Sequence, residues 1–370
     1  FLSNMSHELR TPINAVNGVS EILQGSNLPE KEKRGIGVIR SAGKRLYYQI
    51  SDVLDYSEIE TGHFSLTYDE YEPVSVIHDA VSMVCDGDSG LLAGFSGKKG
   101  ESLEFAIDVE PSLPKVLYGD AERLKRLLAA LIDNALKFTE IGGVYLYIRS
   151  RKEKYGINLN IDIWDTGCGM DEEQQKRLFH GSYLGDNSAE RKKRGLGLGL
   201  AIAHGIVSAM KGFITVESGL EEGTHIHVSI PQEVRSKEHS LTLEQPEKYR
   251  SVCYFNKEKY ARREIGSFYY RMVEHIRISF GVDISIASSL QEVKELCASG
   301  VMTHLYISVW EYQMEPEFFD RMAEKFTVCV FAEREFVPTK GSSVDIIYKP
   351  IFMFAVINHL RATLPGGPVR

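Results

Sequence analysis

The stretch Ser6-His7-Glu8-Leu9-Arg10-Thr11-Pro12 sets an imidazole beside a carboxylate. A neutral imidazole that attacks an electrophile has to give up a proton, and an adjacent Glu can polarise it for that step. Thr11 follows one helical turn later, and Pro12 interrupts the helix by removing a backbone donor. Leu2, Met5, Leu9, Ile13, Val16, Val19 and Leu23 step by three or four residues and form one helical stripe. His7 lies two residues from both Met5 and Leu9, roughly 200° round the helix from each, so it points toward water.

Four further signals lie in the middle of the chain. In Leu131-Ile132-Asp133-Asn134-Ala135-Leu136-Lys137-Phe138-Thr139, Asn134 and Lys137 are three apart on one helical face. An amide oxygen suits a hard cation such as magnesium, and a Lys suits a phosphate. In Asp165-Thr166-Gly167-Cys168-Gly169-Met170, a carboxylate at a strand end can accept a hydrogen bond from an exocyclic amine, and the glycines admit a ring close to the backbone. Gly195-Leu196-Gly197-Leu198-Gly199-Leu200 runs into the helix Ala201–Met210, and a glycine turn at a helix start offers amide N–H groups to phosphate. Glu222-Gly223-Thr224 precedes a strand. A G-x-G-x-G run alone is more often a plain turn. The spacing fails the dinucleotide fingerprint, and no βαβ unit with an acidic residue follows.

Together, and in this order, these blocks resemble sensor histidine kinases over residues 1–232. The histidine block resembles the phosphoacceptor box, and the other four resemble an ATP-binding domain of the gyrase/Hsp90 superfamily, an α/β sandwich rather than a P-loop. The resemblance implies that His7 is the phosphoacceptor, Glu8 the group that polarises it, and Thr11 the residue that places water for dephosphorylation in bifunctional members. It implies ATP and Mg2+ as cofactors. Asn134 is then the magnesium ligand, Lys137 a phosphate contact, and Asp165, Gly167 and Gly169 the adenine site. Gly195, Gly197, Gly199 and Leu200 form the phosphate loop, with Thr224 completing the site. Leu184–Arg194 would be the lid, and Phe179 the aromatic before it, followed by His180-Gly181-Ser182-Tyr183 instead of the usual Glu-Pro-Phe. Where the family often carries a second Asn one turn before Asn134, this chain has Ala130. No general base for water stands there, which fits phosphotransfer better than ATP hydrolysis.

The elements that position these groups follow from periodicity. Residues 1–24 and about 29–61 read as two long helices joined by a turn, with a capping box at Asn27 and Glu30 and Gly62 as the C-terminal cap. A lone hairpin cannot bury one apolar stripe, so residues 1–62 are expected to pair with a second copy as a four-helix bundle. Residues 63–232 form the mixed α/β catalytic domain. Its strands include Val144–Ile148, Ile157–Asp165, Phe213–Glu217 and His225–Pro231, and a glycine-rich insert spans Asp86–Gly100. Polar residues 233–249 read as a linker.

From residue 250 to 370, strands at Ser251–Phe255, Val282–Ala287, His304–Trp310, Thr327–Ala332 and Val344–Lys349 alternate with helices, the pattern of a doubly wound parallel sheet. This part resembles a response-regulator receiver, and Lys349-Pro350 matches its Lys-Pro pair. The acidic pair is replaced by Phe255-Asn256-Lys257, the phosphoacceptor position by Ser308-Val309-Trp310-Glu311, and the hydroxyl position by Phe331. Without clustered carboxylates there is no magnesium site and no acyl-phosphate chemistry. Glu311 reads either as a mimic of the phosphorylated state or as an exposed loop residue. The expected role of this domain is docking or regulation.

The 370 residues suffice for two or three domains, and 43% hydrophobic with 25% charged residues is an ordinary globular composition. A net charge of -8 argues against nucleic acid as a partner. No run approaches the ~20 apolar residues of a membrane span. Five scattered cysteines without a C-x-x-C pair suit a reducing compartment. The chain begins with Phe inside a helical pattern, so it reads as the cytoplasmic fragment of a longer protein whose sensory and membrane-anchoring region precedes it. The reading is a kinase that autophosphorylates His7 from ATP and passes the phosphoryl group to an Asp on a separate response regulator. The alternative is a dimeric nucleotide-binding pseudokinase scaffold, favoured by Ala130 and the degenerate receiver.

Overall fold

The computed structural model describes residues 12–13, 15–23, 28–85, 103–179, 197–255 and 265–363. His7, Glu8, Thr11, Asn27, Gly195, Asn256 and Lys257, the expected lid and the glycine-rich insert lie outside them. By its internal contacts the chain divides into two units. One comprises Phe1–Leu103, Pro114–Ile141 and Arg151–Lys237; the other comprises Glu104–Leu113, Gly142–Ser150 and Glu238–Arg370.

In the first unit, residues 15–23 are helical and α1 (Glu30–Glu60) follows. Gly62 at φ 70° closes α1: its N–H donates to the Ile59 carbonyl, and the His63 N–H donates to Glu58. These paired bonds are a Schellman cap, which needs a left-handed residue just past the helix. Strand β1 (Asp69–Tyr71) and helix α2 (Pro73–Cys85) come next; β2 (Glu104–Val109) belongs to the second unit, and β3 (Leu117–Gly119) and α3 (Ala121–Phe138) return to the first. Asp120 caps α3, accepting from the Arg123 N–H at 2.9 Å and the Thr67 N–H at 2.7 Å.

Leu124, Leu127, Leu128, Leu131, Ile132, Ala135 and Leu136 form the buried face of α3. They pack against β5 (Gly156–Asp165), which pairs with β7 (Gly223–Val234). Ile157, Leu159, Ile161 and Ile163 are buried on β5, as are Ile226, Val228 and Ile230 on β7. In this unit β7 pairs antiparallel with β5, β6 (Phe213–Gly219) and β3, and β3 pairs with β1. On the opposite face, Asp162 faces His225 Nε2 at 3.0 Å and His227 Nδ1 at 2.8 Å, and Trp164 stacks on His225.

Helix α1 is tied to α3 by charge. Arg123 bonds Asp55 at 2.8 Å, Arg126 bonds Asp52 at 2.9 Å, and Arg126 also contacts Asp55. Burial raises the Asp52 carboxyl above its ordinary pKa despite Arg126. Between β5 and β6 the described part of the unit holds α4 (Glu172–Arg177) and α5 (Gly199–Ala209). A Cβ on Gly205 would lie 2.4 Å from Ile59 Cδ1, so α5 approaches α1 as closely as a glycine permits.

The second unit contains β8 (Arg250–Tyr254), α6 (Ile265–Phe280), β9 (Asp283–Ala287), α7 (Leu290–Ala298) and β10 (His304–Ser308). These are followed by α8 (Val309–Met314), α9 (Pro316–Ala323), β11 (Thr327–Ala332) and β12 (Asp345–Tyr348). The five strands are parallel in the order β12-β11-β10-β8-β9. Counted within the unit this is 2-1-3-4-5, the flavodoxin-like doubly wound order. Two short elements end the chain's described part, β13 (Ile351–Phe352) and α10 (Met353–Ala362). In the same unit β2 pairs in parallel with β4 (Gly143–Glu153) on one side and with β13 on the other.

Two details differ from the sequence reading. The third strand of this unit stops at Ser308, and Val309-Trp310-Glu311 turns into α8, because Ser308 and Glu311 form a capping box. Glu311 is therefore fully buried and not an exposed loop residue. The polar stretch read as a linker is packed: Leu241 is buried, the Ser240 N–H donates to Leu113 at 2.8 Å, and Arg361 bonds Thr242.

Candidate active site

Asp165 ends β5 opposite Thr224 on β7, where the strands hold it by register. It is 8% exposed, and its carboxylate accepts the Gly167 N–H at 2.9 Å. The Thr224 N–H and the Thr139 side chain face it as well. Burial outweighs these donors and pushes the Asp165 carboxyl up to about 6. At neutral pH it is an ionised, strong acceptor in a dry setting.

The glycines around it are required by space. A Cβ on Gly167 would lie 2.4 Å from the Phe138 carbonyl, which also accepts the Cys168 N–H. Gly169 has φ +63°, and a Cβ there would lie 1.8 Å from the Gly219 carbonyl. The Asp165–Met170 turn thus sits directly on the end of α3 and on the β6–β7 turn. Ser218 fastens the second contact, accepting the Met170 N–H at 2.9 Å and donating to the Gly223 carbonyl at 2.8 Å.

Asn134 and Lys137 lie half-buried on the last two turns of α3, the helix that ends against this turn. Gly197, at φ +68° and exposed, precedes α5, whose first residues are Gly199 and the buried Leu200. A Cβ on Gly199 would lie 3.9 Å from that of Ala130, so the start of α5 stands beside α3 one turn before Asn134. Phe179 stacks on His204 of α5 at 5.0 Å. Asp165, Gly167, Gly169 and Thr224 are brought together, and α3 joins them through Phe138 and Thr139. The sequence reading missed Thr139 and Ser218. Both are ordinary hydroxyl residues, and only their places at a helix end and a strand end distinguish them. Among the described residues no group of three His, Cys, Asp or Glu side chains is arranged to hold a metal ion.

An antiparallel sheet packed by α3 and α5, with a buried carboxylate at a strand end between two glycine turns, defines an α/β nucleotide-binding class without a P-loop. Comparison with known families makes this specific. Residues 119–234 match the model of the histidine kinase-, DNA gyrase B- and HSP90-like ATPases, and residues 1–62 match that of the His Kinase A phospho-acceptor domain. The chain carries the phospho-acceptor and ATPase domains of the histidine kinases, and the ATPase domain has the gyrase/Hsp90-type α/β fold.

The curated relatives are sensory and signal-transduction proteins. The hybrid signal transduction protein dokA of Dictyostelium discoideum is 35% identical over 60% of this chain and 13% of its own length. The sensory/regulatory protein RpfC of Xanthomonas campestris is 31% identical over 66% of this chain and 33% of its own. The signal transduction histidine-protein kinase BarA of Escherichia coli is 33% identical over 62% of this chain and 24% of its own. The chain thus spans a third or less of the length of these relatives. The crystal structure of full-length ShkA in complex with AMPPNP aligns over 100% of this chain and 72% of that one, with a TM-score of 0.64 at 20% identity, a likeness of fold. No helix among the described residues is long and apolar enough to cross a membrane.

Proposed function

We propose that this chain is the core of a two-component histidine kinase that moves the γ-phosphoryl group of ATP to His7 and then to an Asp of a separate response regulator. The observation that carries the reading is the Asp165 cluster, inside a chain that also has a phospho-acceptor domain. An ionised carboxylate has about four acceptor positions. The Gly167 and Thr224 N–H groups and the Thr139 side chain leave capacity for the exocyclic amine of adenine. Gly167 and Gly169 let the turn close on α3 and on the β6–β7 turn, which holds the Asp165 carboxylate at the strand end.

Gly197 and Gly199 at the start of α5, with Gly195 of the same motif, supply backbone N–H groups to the phosphates. Asn134 would hold a magnesium ion, which neutralises phosphate charge when bound, and Lys137 contacts the phosphates. In the transfer, the bond from His7 Nε2 to phosphorus forms as the bond to the β–γ bridging oxygen breaks, and ADP leaves. Glu8 polarises the imidazole through its Nδ1 proton. Catalysis is positioning and charge neutralisation. Thr11 places water for dephosphorylation in a phosphatase reaction. Residues 1–62 pair with a second copy. Their exposed apolar residues, including Val19 at 56%, Ile22 at 73% and Val38 at 66%, support a covered face. Use of ATP suits the cytoplasmic side of a longer, membrane-anchored protein.

The test is incubation with γ-labelled ATP and magnesium, wild type beside His7→Ala. Acid-labile label present in the wild type and absent from His7→Ala supports the kinase. ATP binding without label in either protein overturns it in favour of a nucleotide-binding scaffold.

A further inference from the structure

In a doubly wound parallel sheet, the crevice beyond the C-terminal ends of the central strands is where ligands bind. Here that crevice lies at the ends of β8, β10 and β11, between Phe255, Ser308, Phe331 and Lys349. Ser308 and Phe331 bring no carboxylate to it. The acid that reaches Lys349 comes instead from β2, 245 residues earlier: Lys349 Nζ lies 2.8 Å from each Glu104 oxygen, and 3.0 Å from Glu333. The Tyr269 hydroxyl donates to Glu104 as well.

Both charges are dry, with side chains 11% (Lys349) and 5% (Glu104) exposed. Burial opposes the Lys349 charge, yet Glu104 and Glu333 hold its pKa above the ordinary value. Glu104 without Lys349 would be a buried, uncompensated carboxylate, and Lys349 without Glu104 would keep only the partly exposed Glu333. Directly after Lys349-Pro350, β13 joins β2 in parallel, pairing Ile351 with Ala106 and Phe352 with Ile107. Two pleats along the same face of β2, the buried Asp108 accepts from Tyr145 at 2.5 Å and contacts His275 of α6. Phe268 of α6 stacks on Tyr145 at 5.2 Å. The cavity left in the crevice has room for about one water.

We propose that the crevice of the C-terminal domain, where a receiver takes its phosphoryl group, is a docking socket for the Glu104 carboxylate of β2, with Lys349 as counter-charge. The domain signals by seating and releasing β2 and not by being phosphorylated. This rests on reading residues 250–370 as receiver-like. The carboxylate of Glu104 supplies the anion that Lys349 would otherwise take from an acyl phosphate. Strand β2 pairs with β4 in the same unit, so the socket holds one strand of that pair.

The test uses the full chain and hydrogen exchange of the backbone amides of Ala106–Val109, with those of Leu159–Ile163 as reference. Lys349→Met and Glu104→Gln each remove one partner of a charge-assisted bond, and each should speed exchange in β2 by at least about tenfold while the reference strand holds. The double variant should exchange no faster than either single variant. The exchanged pair, Glu104→Lys with Lys349→Glu, should restore protection. Acetyl phosphate should neither label the domain nor change β2 exchange. Unchanged exchange in both single variants, additive effects in the double, or loss of protection in the exchanged pair overturns the socket. Covalent labelling of an Asp that shifts β2 exchange does the same. Should a single variant fail to fold, the exchanged pair decides: native protection of β2 supports the proposal and its loss refutes it. None of these readouts depends on phosphate reaching His7, so failure of the kinase reading leaves the test intact.

Discussion

Replacing Asp165 by Asn should make the protein more stable and a poorer nucleotide binder. The carboxyl stands at about 6 in the fold against 3.8 for an ordinary Asp, because burial outweighs its hydrogen bonds. The folded state therefore holds a proton on Asp165 more tightly than the unfolded chain does. Stability from this group is greatest below pH 3.8 and falls as pH rises toward 6. The difference is roughly two pH units at ~1.4 kcal/mol each, so about 3 kcal/mol is lost by neutral pH. Asn has the shape and donor–acceptor pattern of a protonated Asp, so it escapes this loss. In urea unfolding without nucleotide, Asp165→Asn should match wild type near pH 4 and exceed it by about 2–3 kcal/mol at pH 7.5. Other titrating groups cancel in the comparison. Calorimetric titration with ATP should show affinity down at least about tenfold, the cost of losing a charge-assisted acceptor. A variant less stable than wild type at pH 7.5, or a stability difference that does not change with pH, would refute the claim that burial dominates at this carboxyl.

Two packing predictions accompany it. Asp55→Asn leaves Arg123 and Arg126 without their shared anion in a contact where Asp55 is 8% and the arginines about 20% exposed. It should lower stability by about 2–3 kcal/mol in urea, below the full cost of breaking a buried pair because Asp52 and Glu58 remain nearby. A cost under about 0.5 kcal/mol would mean that solvent already screens the pair. Gly205→Ala drives a methyl group into Ile59, whose three nearest side-chain atoms lie within 2.8 Å of the new carbon. Overpacking should cost about 1–3 kcal/mol, more than the ~1 kcal/mol gained in helix propensity, and Ile59→Ala should relieve it in the double variant.

What the sequence by itself determined are the groups whose chemistry needs neighbours along the chain. His7 with Glu8, Asp165 with Gly167 and Gly169, and the glycines before α5 are each confined to one turn, so their spacing survives without a fold. Helix α3 was legible because its apolar residues repeat at the helical period, and β5 because Ile157, Leu159, Ile161 and Ile163 alternate with polar neighbours. The tertiary structure decided what lies opposite each group. Thr139 and Ser218 act at the Asp165 turn only because a helix end and a strand end meet there. The spacing of Ser308 and Glu311 is a local helix-start signal, but nothing local predicts that Glu311 is buried in that cap. Above all, Glu104 and Asp108 alternate along β2 as acids on a water-facing side would. Both are buried instead, because Lys349, Tyr269 and His275 arrive from the far end of the chain. A carboxylate's pattern in the sequence is the same in water and beside a lysine; only the fold brings the counter-charge that makes its burial stable.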